Sequence, residues 1–197
     1  MLIAGTGGLG KEILGILIDN NYLDEILFFD EDTDAPDFLY NKFKVIKDLK
    51  SVEAYFDKGD KQFITGIGSP RIREKMTLKL EKCGGRMCSV ISKRASVFPM
   101  NVQYPGVIIQ PGVGISHNVT IGKGAAIHIN STIGHSTIIG KYVNIGPNVS
   151  VIGPVEIGDY SYISTHATVL PNIKIGNNVI VTAGSLVDRD LEDFLSF

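Results

Sequence analysis

Four histidines stand in the second half of the chain: His117, His128, His135 and His166. An imidazole titrates near neutrality, so it can take up and return a proton during group transfer, or ligate a metal. His117 and His135 are eighteen residues apart, as are Asn130, Asn148 and His166 in a second series. On a repeat of that period each series becomes a column, and an inert polar ladder is the competing reading for both. The other chemistry-bearing stretch is Gly5-x-Gly7-x-x-Gly10, after an apolar strand and at the start of a helix. Free N–H groups in such a loop attract a phosphate or diphosphate. Asp30 lies twenty residues beyond Gly10, where an acidic side chain can accept ribose hydroxyls, and Asp32 is close by. Here the competing reading assigns the glycines to turning and helix packing alone.

The elements that must position these residues are of two kinds. From Ile109 to Val187 an aliphatic residue recurs every six positions, through Ile115, Ile121, Ile127, Ile133 and onward. Ile121-Gly122, Ile139-Gly140, Ile157-Gly158 and Ile175-Gly176 repeat once per three hexads. Six residues hold one short strand and a turn, so three hexads make a triangular coil and the whole a parallel β-helix. The aliphatic residue points inward, and the recurrent glycine is expected where the backbone bends at a corner. His117 and His135 then stack on neighbouring coils of one wall.

Residues 1–90 read instead as a small Rossmann-like α/β domain. Strands are expected at Met1 to Ala4, Ile26 to Phe29, Lys44 to Ile46 and Gln62 to Gly66. Helices fall between them, the last over Arg71 to Lys82, with Ser69 as N-cap and Pro70 at N1. Half a dinucleotide fold lacks room for a second mononucleotide, which argues against hydride transfer. Residues 91–197 form the coil, and Leu191, Phe194, Leu195 and Phe197 are expected to cap its open end.

A net charge of -2 gives no electrostatic case for nucleic acid or a membrane surface. Cys83 and Cys88 fit reduced thiols, and MLIAGTGG is too short an apolar run for a signal segment. A soluble cytoplasmic protein without membrane insertion is expected.

The chain resembles the hexapeptide-repeat acyltransferases of the sialic acid O-acetyltransferase and nucleotide amino-sugar N-acetyltransferase type, used in bacterial surface-glycan synthesis. IAGTGGLGKEIL resembles that family's glycine-rich start, FFDEDTDAP its acidic turn and FITGIGSPRIREKM its third-helix segment. The resemblance implies a left-handed β-helix, a homotrimer with active sites between subunits, and acetyl-CoA as acyl donor without a metal. It places His135 in the catalytic slot and implies that Gly7, Gly8, Asp30 and Asp32 hold a nucleotide sugar. Pantetheine would lie between coils near Gly153, Ala183 and Gly184. In the family an acidic residue stands on each side of the histidine; here these are Gly134 and Ser136. The family's second histidine, one turn on, is replaced by Ser150.

Two other classes remain open. A γ-type carbonic anhydrase uses the same coil with histidine-bound metal, although an adjacent-coil pair is not a dispersed three-ligand set. A non-catalytic trimeric scaffold would explain the missing acidic pair.

Overall fold

The apolar start of the chain forms β1 (Leu2–Ala4), with all three residues buried. The computed structural model describes residues 1–22 and 24–197, and the chain divides into two compact units, 1–90 and 91–197. In the first unit α1 (Gly8–Asp19) buries Leu9, Ile13, Leu14, Ile16 and Leu17 on one stripe. β2 (Leu27–Phe29) pairs in parallel with β1. Two elements absent from the sequence reading follow. β3 (Phe38–Leu39) runs antiparallel to β4 (Phe43–Ile46), joined by Tyr40 and Asn41 at φ 52° and 51°. Two consecutive left-handed residues are the signature of a type I′ hairpin, which sequence usually betrays by Asn-Gly or Asp-Gly rather than Tyr-Asn.

α2 (Leu49–Asp57) is capped by Asp48, which accepts from the Ser51 N–H. β5 (Gln62–Thr65) pairs with β1. α3 (Pro70–Lys82) has Ser69 as N-cap and Pro70 at its start, but the Ser69 side chain makes no capping hydrogen bond. The second unanticipated strand, β6 (Arg86–Met87), pairs in parallel with β5. The sheet order is β3-β4-β2-β1-β5-β6, a small, mostly parallel α/β sheet.

The second unit stacks two-residue strands into three parallel walls. The wall that carries His135's neighbours contains Gly114–Ile115, Thr132–Ile133 and Ser150–Val151. Its register pairs Ile115 with Ile133 and Ile133 with Val151, so the eighteen-residue period is one coil. The aliphatic residues at six-residue spacing from Ile109 to Val187 belong to one continuous core, none of them more than 4% exposed. Each such side chain contributes about 1.5–3 kcal/mol by leaving water. Polar residues inside the prism are satisfied locally: Ser131 Oγ donates to Gly146 O and accepts from Val149 N.

The recurrent glycine does a different job from the one its spacing suggested. Gly122, Gly140, Gly158 and Gly176 are not the left-handed residues of the corners. A Cβ on Gly122 would stand 2.5 Å from the Gly140 carbonyl carbon, because successive coils touch there. The left-handed residue comes two positions later. Asn118, Asn130, Ser136, Asn148, His166 and Asn172 all occupy it, with φ between 55° and 65°. The Asn130, Asn148 and His166 column is therefore a series of turns, in a conformation that Asn adopts at low cost.

At the end of the coil Leu191 is buried and bridges in parallel to Ile175, and Phe197 packs against the core. Phe194 and Leu195 instead point outward, 75% and 41% exposed. No helix among the described residues is long and apolar enough to cross a membrane.

Candidate functional site

The corner after Thr132–Ile133 presents His135 to solvent. Its backbone is fixed from three directions. Gly134 N donates to Val151 O at 2.8 Å, Ser136 N to His117 O at 3.0 Å, and the Thr137 hydroxyl to Gly134 O at 2.8 Å. Ser136 turns the chain at φ 59°. The His135 ring lies flat on that of His117, with centroids 5.4 Å apart and planes 8° from parallel. Phe98 meets the far side of His117 edge-on at 6.1 Å.

His135, Gly134, Gly153, Ile152 and Ser116 line an open groove of about 490 Å³. A smaller cavity of about 240 Å³, bordered by Ser136, Asn172, Glu156 and Lys174, adjoins the same corner. No carboxylate pairs with His135 among the described residues: the polar group beside its ring is Ser136 Oγ, 3.4 Å from Nδ1. Glu156 is engaged by Lys174 at 3.5 Å.

The structure gives a physical reason for one missing acid. A Cβ on Gly134 would collide with the backbone N of Gly153, and a Cβ on Gly153 would collide with the His135 carbonyl oxygen. The position before the histidine is closed to any side chain. Gly153 is buried directly behind His135, so the structure brings these two residues together. Ala183 and Gly184 do not join them. They are exposed at another corner of the coil, with Gly184 at φ 74° and open space where a side chain would be. Ser150 shares a 3.5 Å contact with Thr132 on the outer wall.

The remaining histidines are apart from this groove. His128 is half-buried with Nε2 3.5 Å from Asn144 Nδ2, and His166 occupies a turn beside Thr165. Asn144 was not anticipated: its buried Oδ1 has no partner among the described residues. A burial of that kind leaves no trace in spacing. His117 and His135 present parallel ring faces to each other rather than nitrogens converging on one point. Among the described residues no group of three or more His, Cys, Asp or Glu side chains could hold a metal ion.

In the α/β unit the glycine loop sorts its members by role. Gly5 has φ 107° and its Cβ would stand 2.8 Å from Gly66 O; Gly10 packs against the Gly5 carbonyl, leaving no room for a side chain. Those two serve the turn and the close packing of helix on strand. Gly7 and Gly8 have nothing within 4 Å of a Cβ and are exposed at the start of α1. They are the members open to a ligand.

Asp30 faces this loop and accepts from Thr6 N at 2.9 Å, Thr6 Oγ1 at 2.6 Å and Asp32 N at 3.2 Å. Burial works against its charge, but the hydrogen bonds from Thr6 and Asp32 hold its carboxyl below the usual carboxylate range. The side chain therefore already ties the second strand to the glycine loop. Asp32 is exposed and accepts from Asp34 N. A depressed folded-state pKa contributes stability above the ordinary Asp value of about 3.9 and loses it as pH falls through the folded value. The melting-temperature gap between the native chain and Asp30→Asn should thus be full at neutral pH and close below about pH 4. A gap independent of pH would show that the tie does not depend on charge.

Cys88 and Cys83 offer no nucleophile. Burial pushes the Cys88 thiol up to about 11, and its Sγ donates to Phe63 O at 3.2 Å; burial and the charge of Glu53 also raise Cys83.

Sequence families and solved structures match both parts of the chain. The model described as PglD N-terminal domain matches residues 1–80. The model described as bacterial transferase hexapeptide (six repeats) matches residues 118–153, 136–170 and 154–189. A variant of perosamine N-acetyltransferase from Caulobacter crescentus, in complex with CoA and GDP-perosamine, superposes with TM-score 0.92 and 26% identity. The match covers 99% of this chain and 91% of that one.

The chain joins a PglD-type N-terminal domain to transferase hexapeptide repeats, the build of a hexapeptide-repeat acyltransferase.

The acyltransferase shares its fold with two further proteins. The acetyltransferase domain of PglB from Neisseria gonorrhoeae FA1090, in complex with acetyl coenzyme A, has TM-score 0.90, 23% identity and coverage of 99% and 93%. WeeI from Acinetobacter baumannii AYE has TM-score 0.78, 22% identity and coverage of 99% and 94%. No curated protein sequence matches the chain. The coil of the acyltransferase is a left-handed parallel β-helix, carried after an α/β domain.

Proposed function

We propose that this acyltransferase moves the acetyl group of acetyl-CoA to an amino group of a nucleotide-activated sugar in bacterial surface-glycan synthesis. Hydroxyl acceptors belong to the same chemistry. The observation that carries the reading is His135, an exposed imidazole at the edge of an open groove on the coil. The perosamine N-acetyltransferase complex with CoA and a GDP-sugar supports it. Residues 1–90 would hold the nucleotide through Gly7, Gly8, Asp30 and Asp32, and residues 91–197 would carry out the transfer.

In this mechanism His135 accepts a proton from the acceptor amine as its nitrogen bonds to the thioester carbonyl carbon. The C–S bond then breaks, and the imidazolium returns the proton to the departing thiolate. A positioned base of this kind contributes about 10²- to 10⁴-fold in rate. Backbone N–H groups at the coil corners would meet the oxyanion. Gly153 lies behind His135 and Ala183 and Gly184 at another corner, and all three remain candidates for pantetheine contacts. The thiols are held protonated by burial, so direct transfer is favoured over an acyl-cysteine. Three copies would complete the site in the cytoplasm.

Release of free thiol from acetyl-CoA across a panel of nucleotide amino sugars tests the reading. Absence of release with every acceptor would overturn it. Position 136 offers a second test. Ser136 is exposed, next to His135 Nδ1, and in a conformation that Asp tolerates. Ser136→Asp should place a carboxylate beside the imidazolium and raise kcat about tenfold. An unchanged kcat would mean that the ring is already oriented by other means.

A further inference from the structure

His117 is exposed, one coil before His135. We propose that His117 is a positioning residue that fixes the plane of the His135 ring, in place of the carboxylates absent at positions 134 and 136. The proposal rests on the reading of His135 as the base.

Three observations carry it. First, the two rings are nearly parallel at 5.4 Å, and Phe98 braces His117 from the other side at 6.1 Å and 69°. Aromatic pairs at such distances hold a preferred geometry beyond simple burial. Second, the column stops at His135. The residue one coil further is Gly153, with no side chain to stack, and the groove opens beside both. His135 is thus supported on one face and accessible on the other. Third, Ser136 Oγ lies 3.4 Å from Nδ1 and carries no charge, so it orients the ring weakly. The His117 backbone also takes part, since its carbonyl accepts from Ser136 N at 3.0 Å and ties the turn beside His135 to the same coil.

An acyl transfer needs the base aligned with the attacking amine, and small displacements of a reacting group are costly in rate. A free rotation of the exposed His135 ring would spend most of its time out of line. The stacked partner restricts that rotation without contacting the substrate.

The test compares His117→Ala and His117→Phe with the native enzyme and with His135→Ala. His117→Ala should lower kcat about 3- to 10-fold while KM for both substrates stays within about twofold. His117→Phe keeps a flat ring and should recover most of that loss. In ¹³C-histidine NMR spectra, the His135 Cε1–Hε1 signal should move in His117→Ala and stay near its native position in His117→Phe. Full activity in His117→Ala, or a His117→Phe enzyme as slow as His117→Ala, would overturn the proposal. The second outcome would assign the effect to the nitrogens of His117 instead. The two readings separate cleanly. A fully active His135→Ala removes the base and with it the catalytic role of His117. An inactive His135→Ala beside a fully active His117→Ala removes only the positioning role.

Discussion

His135→Ala is expected to lower kcat for acetyl transfer by about 10²- to 10⁴-fold, the range supplied by a positioned proton-transfer group. The loss should appear equally in kcat/KM, because the imidazole acts on the developing transition state rather than on binding. Stability should hardly change. His135 is exposed, its ring rests on one neighbour, and the turn that carries it is held by backbone hydrogen bonds and the Thr137 hydroxyl. Surface substitutions of this kind fall within about 0.5 kcal/mol. Thiol-release kinetics and a thermal melt on the same preparation check both halves. An active enzyme would exclude His135 as the base, and an unfolded one would make the corner a structural element first.

Gly134→Asp should have the largest effect on stability, although it restores an acidic residue found in the resembling family. A side chain at 134 has nowhere to go, because its Cβ would collide with Gly153 N and crowd Val151 O at 2.9 Å. The obstruction is backbone, which cannot rotate away as a side chain can. Overpacking in a rigid interior costs about 1–3 kcal/mol and occasionally more. A cost of about 3 kcal/mol corresponds to roughly 6–12 °C in melting temperature for a chain of this size. Gly134→Asp should therefore melt well below the native protein, while Ser136→Asp, at an open turn, should not. Equal melting temperatures for the two variants would show that neighbouring coils separate more easily than their packing suggests.

The contrast between those two positions marks where sequence reading succeeds. The hexads displayed the coil, its period and the His117–His135 column, because inward residues must be aliphatic at every turn. The turn and the helix packing of the glycine loop were legible too, since Gly5 and Gly10 meet backbone where a side chain would stand. The corner chemistry was not. The left-handed slot accepts Asn, Ser, Tyr, His and Gly, so no one residue type announces it, and the recurrent Ile-Gly dipeptide drew attention two positions early. Gly134 meets Gly153, nineteen residues on, which falls outside the eighteen-residue period. The reason for the missing acid was therefore invisible to any argument from phase. The Tyr40-Asn41 hairpin escaped for a related reason, because its residues lack the usual turn signature. Asn144 is a consequence of burial alone.

The wall registers have one more implication. Within the wall that leads to His135, each interior strand is bonded to those eighteen residues before and after it, so cohesion passes from rung to rung like the teeth of a zipper. The rung carrying His135 is interior, with paired strands on both sides: Gly114–Ile115 before it and Ser150–Val151 after it. Fraying that begins at the last rungs, near Leu186–Val187, must open two others before it reaches the histidine. Placing the reactive corner in the middle of the stack insulates its alignment from the loosening that open ends invite.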